Sequence, residues 1–338
     1  MSGAAGPSDG AHDADVLILA LDRAEETVAA IRSALAQTGA SRRVLVIDQG
    51  SCPEALARIA ASVAGRADAT LVRAGGNLGV AGGRNLGAAL GHGRVIVALD
   101  NDAEFADATV LARAVAALDA APDLGAIGFR IVEHASGADD LSSWGYPLAL
   151  LPRAAEAFDA ATFVGAGHAI RRAAWQAAGG YDAALFFCWE EFDFCLRAVA
   201  AGWRIAYRGD LVVRHKVSAE RRVAWSCARW FYFVRNRIYI ARKWDAGPIG
   251  LAPRIALYLL KGLRNRMPWQ TLRAVAAAWA MPVEKRGMPA SLRAYLDRND
   301  VAHRGDWWRR LRCEVLARLP GSQDGAPVSA AHTTKPAC

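Results

Sequence analysis

The chain has 338 residues, 53% of them hydrophobic and 22% charged, with 41 Lys+Arg against 33 Asp+Glu for a net charge of +8. That is enough apolar material for one large domain with an appendage or for two ordinary domains, and it excludes a disordered tail protein. Mean hydropathy is +0.11, but Arg254, Lys261, Arg273 and Pro282 interrupt the best apolar stretches, so no window reaches the roughly 20 residues of a membrane span.

Residues 1–14 are small and polar and predict a disordered lead-in with neither the basic nor the apolar region of a secretory signal, so cytoplasmic residence is expected. The six cysteines lie far apart with no CxxC pair, which predicts reduced thiols and no zinc site. Charge is unevenly placed. From Arg214 to Arg318 there are 23 basic and 7 acidic residues, net +16, so the rest of the chain is net −8.

In chain order, the apolar run Val16–Leu21 is followed by a helical pattern over Ala24–Ala36, and Val44–Ile47 by a helix over Pro53–Val63. Thr70–Val72 and Arg94–Leu99 are further strands, with a helix over Val80–Leu90 between them. Strands alternating with amphipathic helices predict a doubly wound, mostly parallel α/β sheet, whose ligands bind at the carboxyl ends of the strands. Ala126–Val132 and Thr162–Ile170 continue as strands, Glu190–Ala200 as a helix, and 203–214 as two short strands. Beyond Val223 the pattern is helical: Val223–Trp244, Leu251–Arg264, Trp269–Ala280, Pro289–Arg298 and Trp307–Leu319. The expected division is a catalytic domain over 15–221, a basic, aromatic-rich helical region over 222–320 and a disordered tail over 321–338.

Three of the first four strands end in carboxylates, at Asp22, Asp48 and Asp100-Asn101-Asp102. Gathered on one rim, such acids repel and raise one another's pKa unless a cation intervenes. Asp-x-Asp at a strand end suits Mg²⁺ or Mn²⁺ held by hard oxygens with a diphosphate completing the shell. The competing reading is helix capping, with Asp107 as the N-cap of the next helix. The third strand leads into Gly75-Gly76-Asn77-Leu78-Gly79-Val80-Ala81-Gly82-Gly83-Arg84-Asn85, which is neither a phosphate-binding Walker loop nor a dinucleotide fingerprint. It allows close backbone approach, and Arg84 is in reach of a diphosphate; otherwise it is a surface turn. Glu190-Glu191-Phe192-Asp193 opens a helix after Phe186-Phe187-Cys188-Trp189. It makes either a favourable helix N-terminus or a base with raised pKa. His215 follows a strand and is a candidate metal ligand.

With these residues in order, the chain resembles the family 2 glycosyltransferases of GT-A fold, inverting enzymes that include rhamnosyltransferase-like proteins. The resemblance covers about residues 15–245. It rests on Asp48, Asn77-Leu78-Gly79 with Gly82, Arg84 and Asn85, Asp100-Asn101-Asp102, Gly165-Ala166-Gly167, Phe186 to Arg197, Gly202 and His215. It implies that Leu21, Asp22, Asp48, Asn77, Arg84, Asp100 and Asn101 line a nucleoside diphosphate sugar. It also implies that Asp102, His215 and Asp100 hold Mn²⁺ or Mg²⁺, and that Gly167, His168 and Trp189 lie on the acceptor side. Glu191 stands where the family usually has the catalytic aspartate, with Glu190 and Asp193 as alternative bases. The implied reaction is metal-dependent transfer with inversion to a hydroxyl of a glycan or lipid-linked acceptor, in cell-envelope polysaccharide or glycolipid synthesis.

The segment Trp225–Arg237 mixes aromatics with arginines, which fits an anionic membrane surface, a helix packed on the catalytic domain, or nucleic acid. Membrane contact at the inner face of the cell membrane is the expectation, and no nucleic acid is expected. Two other functions are consistent with such a sheet. One is a nucleotidyltransferase, which would need a basic Gly-rich loop after the first strand; the other is a non-catalytic binding protein on a degenerate scaffold.

Overall fold

The computed structural model describes residues 12–216, 227–244 and 247–305. The first four apolar runs form β1 (Ala14–Ala20), β2 (Arg42–Asp48), β3 (Ala69–Arg73) and β4 (Val95–Leu99), all parallel in the order β3-β2-β1-β4. Their crossovers are α1 (Ala24–Leu35), α2 (Pro53–Val63) and α3 (Gly79–Leu90). β1, β2 and β4 are almost wholly buried because helices cover both faces, which is why they read as unbroken apolar runs.

After β4 come β5 (Ala103–Phe105), α4 (Val110–Asp119), β6 (Leu124–Glu133), β7 (Ala157–Asp159), β8 (Gly167–Arg171), α5 (Arg172–Ala178), α6 (Glu190–Ala200) and β9 (Arg204–His215). The sheet runs β3-β2-β1-β4-β8-β6-β9-β5, with β7 also paired to β9. β8 is antiparallel between β4 and β6, and β5 and β7 are antiparallel to β9, so the sheet is mixed but mostly parallel in strand direction. β8 and β6 lie between β4 and β9 in the sheet, and the segment leading into β8 lines a cleft at that end of the sheet.

The expected strand over Thr162–Ile170 pairs only from Gly167, since 162–166 forms the floor of that cleft. The two short strands expected in 203–214 are one strand with an irregularity opposite Phe129 and Arg130. Asp107 does not cap α4; it accepts hydrogen bonds from the amide and hydroxyl of Thr109, which holds the cap position. β5, β7 and α5 carry no periodic signal in the sequence. Three-residue strands and a seven-residue helix are too short to carry a period. Cys188, Cys195 and Cys227 are free thiols, whereas Cys52 is disulfide-bonded, contrary to expectation.

The C-terminal helices are α7 (Cys227–Lys243), α8 (Pro248–Arg264), α9 (Pro268–Ala280) and α10 (Ala290–Asn299). The expected start of the first of these at Val223, the helix over Trp307–Leu319, the tail and residues 1–11 of the lead-in lie outside the described residues. Among the described residues, no helix is long and apolar enough to cross a membrane. One core fills the sheet face covered by α1, α2 and α4. The other combines Leu17, Leu45 and Ile96 with α3, α5 and α6, and also takes in Tyr239, Ile240 and Trp244 of the α7 end and Leu292 of α10. The expected boundary at 221/222 therefore divides chain segments that share a core.

α7 is an interior helix, which corrects the expectation that its aromatic face meets a membrane. Trp230 is fully buried and donates its indole N–H to Thr271 Oγ1 at 2.8 Å, and Phe233 packs against the same cluster. Arg237 sits against the rings of Trp189 and Phe192, where burial pushes its pKa down to about 10.

Asp193 on α6, fully buried, accepts hydrogen bonds from Arg197 at 2.9 Å and from Lys243 of α7 at 2.8 Å, and Lys243 also donates to Asp182 at 2.8 Å. Removing one partner of a buried pair strands the other charge. Lys243→Met is expected to lower stability by about 3 kcal/mol, read as a lower urea midpoint. An unchanged midpoint would show that α7 is not locked to α6 by this contact.

Candidate active site

The parallel register carries the ends of β1, β2 and β4 to one rim, and the antiparallel pairing of Ala103 with His215 brings the end of β9 to the same place. Asp100, Asp102 and His215 thereby converge, with ligand atoms all within 4.8 Å of one another. His215 Nε2 lies 3.3 Å from Asp102 Oδ1. Two carboxylates and an imidazole nitrogen are a donor set suited to a hard or borderline divalent cation such as Mg²⁺ or Mn²⁺.

Each of the three is held from behind. His215 is fully buried, with Nδ1 2.8 Å from Asp140 Oδ2. Asp140 also accepts from the Ser142 amide at 2.9 Å and from the hydroxyls of Ser142 and Ser143 at 2.6 Å. Although burial opposes it, these donors and His215 hold the Asp140 carboxyl well below the usual range. An anionic Asp140 on Nδ1 keeps the proton there and turns the Nε2 lone pair toward Asp102. Asp102 accepts from Arg23 Nη1 at 2.7 Å. Sequence reasoning gives no role to Asp140 or to Arg23, which follows Asp22 after β1: each lies far in sequence from its partner, 75 residues for Asp140 and 79 for Arg23.

Arg84 was expected in the nucleotide site, but the structure places it beneath that site. Its side chain is 2% exposed; Nη1 donates to the carbonyls of Leu17 and Leu99, and Nη2 donates to Asp100 Oδ1 at 3.1 Å. It fixes Asp100 from inside the sheet. Asp48 accepts from the amides of Gly50 and Ser51 and so shapes the turn after β2, and Asp22 accepts from the Cys52 amide at 2.8 Å, tying the β1 and β2 loops together. Asn101 donates to Thr27 Oγ1, toward α1. Leu21 and Asn77 are exposed at the rim, the latter accepting from the Gly79 amide.

Glu190 and Glu191 open α6 after an unusual approach. Phe186, Cys188 and Trp189 all have positive φ, at 62°, 71° and 74°, a region that side chains with a Cβ rarely occupy. The loop is held by Asn236 of α7, whose amide nitrogen lies within 2.9 Å of the carbonyls of Leu185, Phe187 and Cys188, and by the Val80 amide, which donates to Phe186 O at 2.7 Å. Gly79 makes this approach feasible: a Cβ there would lie 2.2 Å from Phe186 O. The Gly-rich segment thus admits protein backbone at this position.

Glu191 Oε1 lies against Gly165, where a Cβ would approach to 2.5 Å, so the Gly165-Ala166-Gly167 motif leaves space for this carboxylate. Burial, with the charge of Asp100 adding to it, pushes Glu191 up to about 7. Glu190 is more deeply buried, and burial with the neighbouring Glu191 charge raises its carboxyl well above the usual range. Asp193, the third candidate base, is excluded from the chemistry by its buried ion pairs with Arg197 and Lys243.

On the expected acceptor side the three residues separate. Trp189 lines the cleft and donates its indole N–H to Phe233 O at 3.0 Å. His168 does not face the cleft. It is buried between Val164 O and the Tyr181 hydroxyl, 2.9 Å from Nε2, and burial pushes it down to about 3, so it is a neutral core histidine. Gly167 lets β8 pass Val213 and Phe129. The cleft has a volume of about 520 Å³ and is lined by Asp100, His215, Glu190, Glu191, Trp144 and Trp189 among others. A depression of similar size between α3 and α5 contains no carboxylate.

The solved structures similar to this chain share its architecture. The mannosyltransferase PcManGT from Pyrobaculum calidifontis, in complex with GDP-Man and Mn²⁺, is 18% identical with a TM-score of 0.56, over 91% of this chain and 86% of that one. GalNAc-T7 with UDP, GalNAc and Mn²⁺ is 15% identical with a TM-score of 0.57, over 91% of this chain and 57% of that one. S. aureus TarS is 16% identical with a TM-score of 0.51, over 75% of this chain and 43% of that one. No curated protein matches the chain in sequence. These likenesses define the fold as GT-A. Residues 15–177 match the family described as "Glycosyl transferase family 2". The chain is a glycosyltransferase, and this stretch is a family 2 domain. The nucleotidyltransferase and non-catalytic readings are thereby set aside, and Asp22-Arg23 after β1 supplies no Gly-rich loop for the former.

Asp140→Asn is expected to weaken Mn²⁺ binding about 10-fold or more, measured by titration calorimetry of the nucleotide-free protein. An unchanged affinity would show that His215 needs no orienting partner.

Proposed function

We propose that this glycosyltransferase moves a sugar from a nucleoside diphosphate sugar to a hydroxyl of a glycan or lipid-linked acceptor, with inversion at the anomeric carbon, in cell-envelope polysaccharide or glycolipid synthesis. The observation that carries the reading is the placement of Glu191, whose carboxyl is raised to about 7, in the cleft also lined by Asp100 and His215, whose ligand atoms lie within 4.8 Å of that of Asp102. A base with a pKa of about 7 matches the working pH, as efficient proton transfer requires. Glu191 takes the proton of the acceptor hydroxyl as that oxygen attacks the anomeric carbon.

Asp100, Asp102 and His215 would hold the divalent cation, Mn²⁺ or Mg²⁺, whose chemistry when bound is to offset negative charge on the departing diphosphate. Arg84 keeps Asp100 in place, and Arg23 neutralises Asp102. Leu21, Asp22, Asp48 and Asn77 frame the strand-end rim at which the nucleoside is expected. The donor in this reading carries a hexosyl or deoxyhexosyl group, the former being the kind present as GDP-Man in the similar mannosyltransferase. We place the enzyme in the cytoplasm, peripheral on the inner face of the cell membrane, where a lipid-linked acceptor is presented to its basic C-terminal helices.

Titration calorimetry with a panel of nucleoside diphosphates tests the donor reading. Binding of one nucleotide in the presence of Mn²⁺ is expected, with loss of the metal-dependent part in Asp102→Ala; no binding by any nucleotide overturns it. Glu191→Gln is expected to lower kcat by about 10²-fold to 10⁴-fold while the fold persists, and a near-wild-type rate refutes the base assignment. For the wild type, kcat/KM is expected to rise with pH through about 7, because only ionised Glu191 accepts the proton. The same raised pKa sets a sign for stability. Ionising the buried carboxyl costs free energy, so stability falls as pH rises through the folded-state value. Glu191→Gln is therefore expected to raise Tm at about pH 8 and to leave it unchanged at about pH 3, below both the unfolded and folded values, where the wild-type carboxyl is protonated in both states.

A further inference from the structure

α8 and α9 pack on α7 through few residues and leave the opposite side of the pair in solvent. On α8 the buried positions are Leu251 and Gly262, and on α9 they are Thr271, Ala274 and Ala278. The outward side of α8 presents Ile249, Leu257, Leu260 and Leu263, spaced by whole turns with Pro253 and Ala256 between them, and Ile249 and Leu263 are 91% and 66% exposed. α9 adds Trp269, 72% exposed, and Leu272. Of the thirteen large apolar side chains strongly exposed among the described residues, seven lie on this one hairpin. A contiguous apolar row of this kind marks a contact surface.

The charge on the row identifies what it contacts. Between Gly247 and Val283 the sequence has Arg254, Lys261, Arg264, Arg266 and Arg273 and no carboxylate. Arg264, Arg266 and Arg273 are exposed, next to Leu263, Trp269 and Leu272. Leucines and a tryptophan bordered by arginines suit the boundary between acyl chains and anionic headgroups, where the apolar row leaves water and the guanidinium groups meet phosphates. A second copy would set this wholly cationic surface against itself. The chain from Gly305 to Arg318 is also net basic, so it does not complement the row in charge. Nucleic acid would meet the arginines but leave the leucines in water.

We propose that the exposed face of the α8–α9 hairpin docks the enzyme on an anionic lipid bilayer, lying in the interface without crossing it. The proposal rests on the membrane-side reading given above and moves the contact from the aromatic stretch of α7 to α8 and α9.

Sedimentation of the full-length protein with vesicles tests it, using phosphatidylcholine alone and phosphatidylcholine with about 30% phosphatidylglycerol. Anionic vesicles are expected to bind at least about 10-fold more tightly, with the difference shrinking in about 0.5 M salt. The double variant Leu260→Asp/Leu263→Asp is expected to lose about 10-fold or more of the binding, and Arg264→Glu/Arg266→Glu to lose the preference for anionic lipid. An unchanged Tm in each variant certifies the fold. Protein that remains in the supernatant with anionic vesicles overturns the proposal, as do variants that bind like the wild type. A dimer on light scattering that dissolves in the Leu260→Asp/Leu263→Asp variant would assign the face to a second copy and also overturn it. Lipid binding is read without donor or acceptor, so failure of the transferase reading leaves this result standing, and the converse holds.

Discussion

Arg84 is a guanidinium buried beneath the rim of a parallel sheet, in contact with the carbonyls of Leu17 on β1 and Leu99 on β4 and with the Asp100 carboxylate. A charge in that position is costly unless it is fully partnered, and here the partners are two strand ends and a functional acid. Its field acts on the rest of the site: it opposes the rise of the Glu190 and Glu191 carboxyls and helps keep His168 neutral. With Arg23 on Asp102, it lets a net-acidic rim exist in a folded protein. The cleft combines acids that must stay ionised with acids that must be near neutrality, and the separation comes from how far each lies from these cations and from water.

The C-terminal helices belong to the same site. Three of the four residues before α6, Phe186, Cys188 and Trp189, sit at positive φ, each costing about 1 kcal/mol or more. Asn236 and Arg235 of α7 hold that loop through the carbonyls of 184–188, and Lys243 fixes α6 through Asp193. Helix α6, which carries Glu190 and Glu191, is positioned by the appendage. The appendage in turn presents its far side, on α8 and α9, away from the core it shares with the sheet. Among the described residues of the C-terminal third, interior arginines such as Arg235 and Arg242 clasp backbone, and exterior ones such as Arg264, Arg266 and Arg273 border an apolar row.

Much of the sheet was legible because period and burial coincide: β1, β2 and β4 are apolar throughout since both faces are covered, and Pro53–Val63 and Glu190–Ala200 carry helix signals at their starts. The antiparallel insertion of β8 was not legible, because strand direction depends on pairing partners far away in sequence. Asp100, Asp102, Glu191 and His215 were visible as strand-end and helix-start side chains, and they do converge. Arg84, Asp193 and His168, which the resemblance placed in the site, are buried with protein partners of their own: Asp100 for Arg84, Arg197 and Lys243 for Asp193, and Tyr181 for His168.

The sequence by itself determined which chemistry was available: carboxylates after apolar runs, a histidine after another, a glycine motif, and a charge that changes sign along the chain. Tertiary structure alone decided which of these groups meet. Asp140 reaches His215, Arg23 reaches Asp102 and Asn236 reaches the 185–188 loop across intervals of 75, 79 and roughly 50 residues. Contacts at such separations leave no periodic trace in the chain, because they depend on sheet order and helix packing and local pattern does not encode those. The same distinction holds for the aromatic-basic helices. Composition showed that such a surface exists, and only packing showed that α7 is turned inward and α8 and α9 outward.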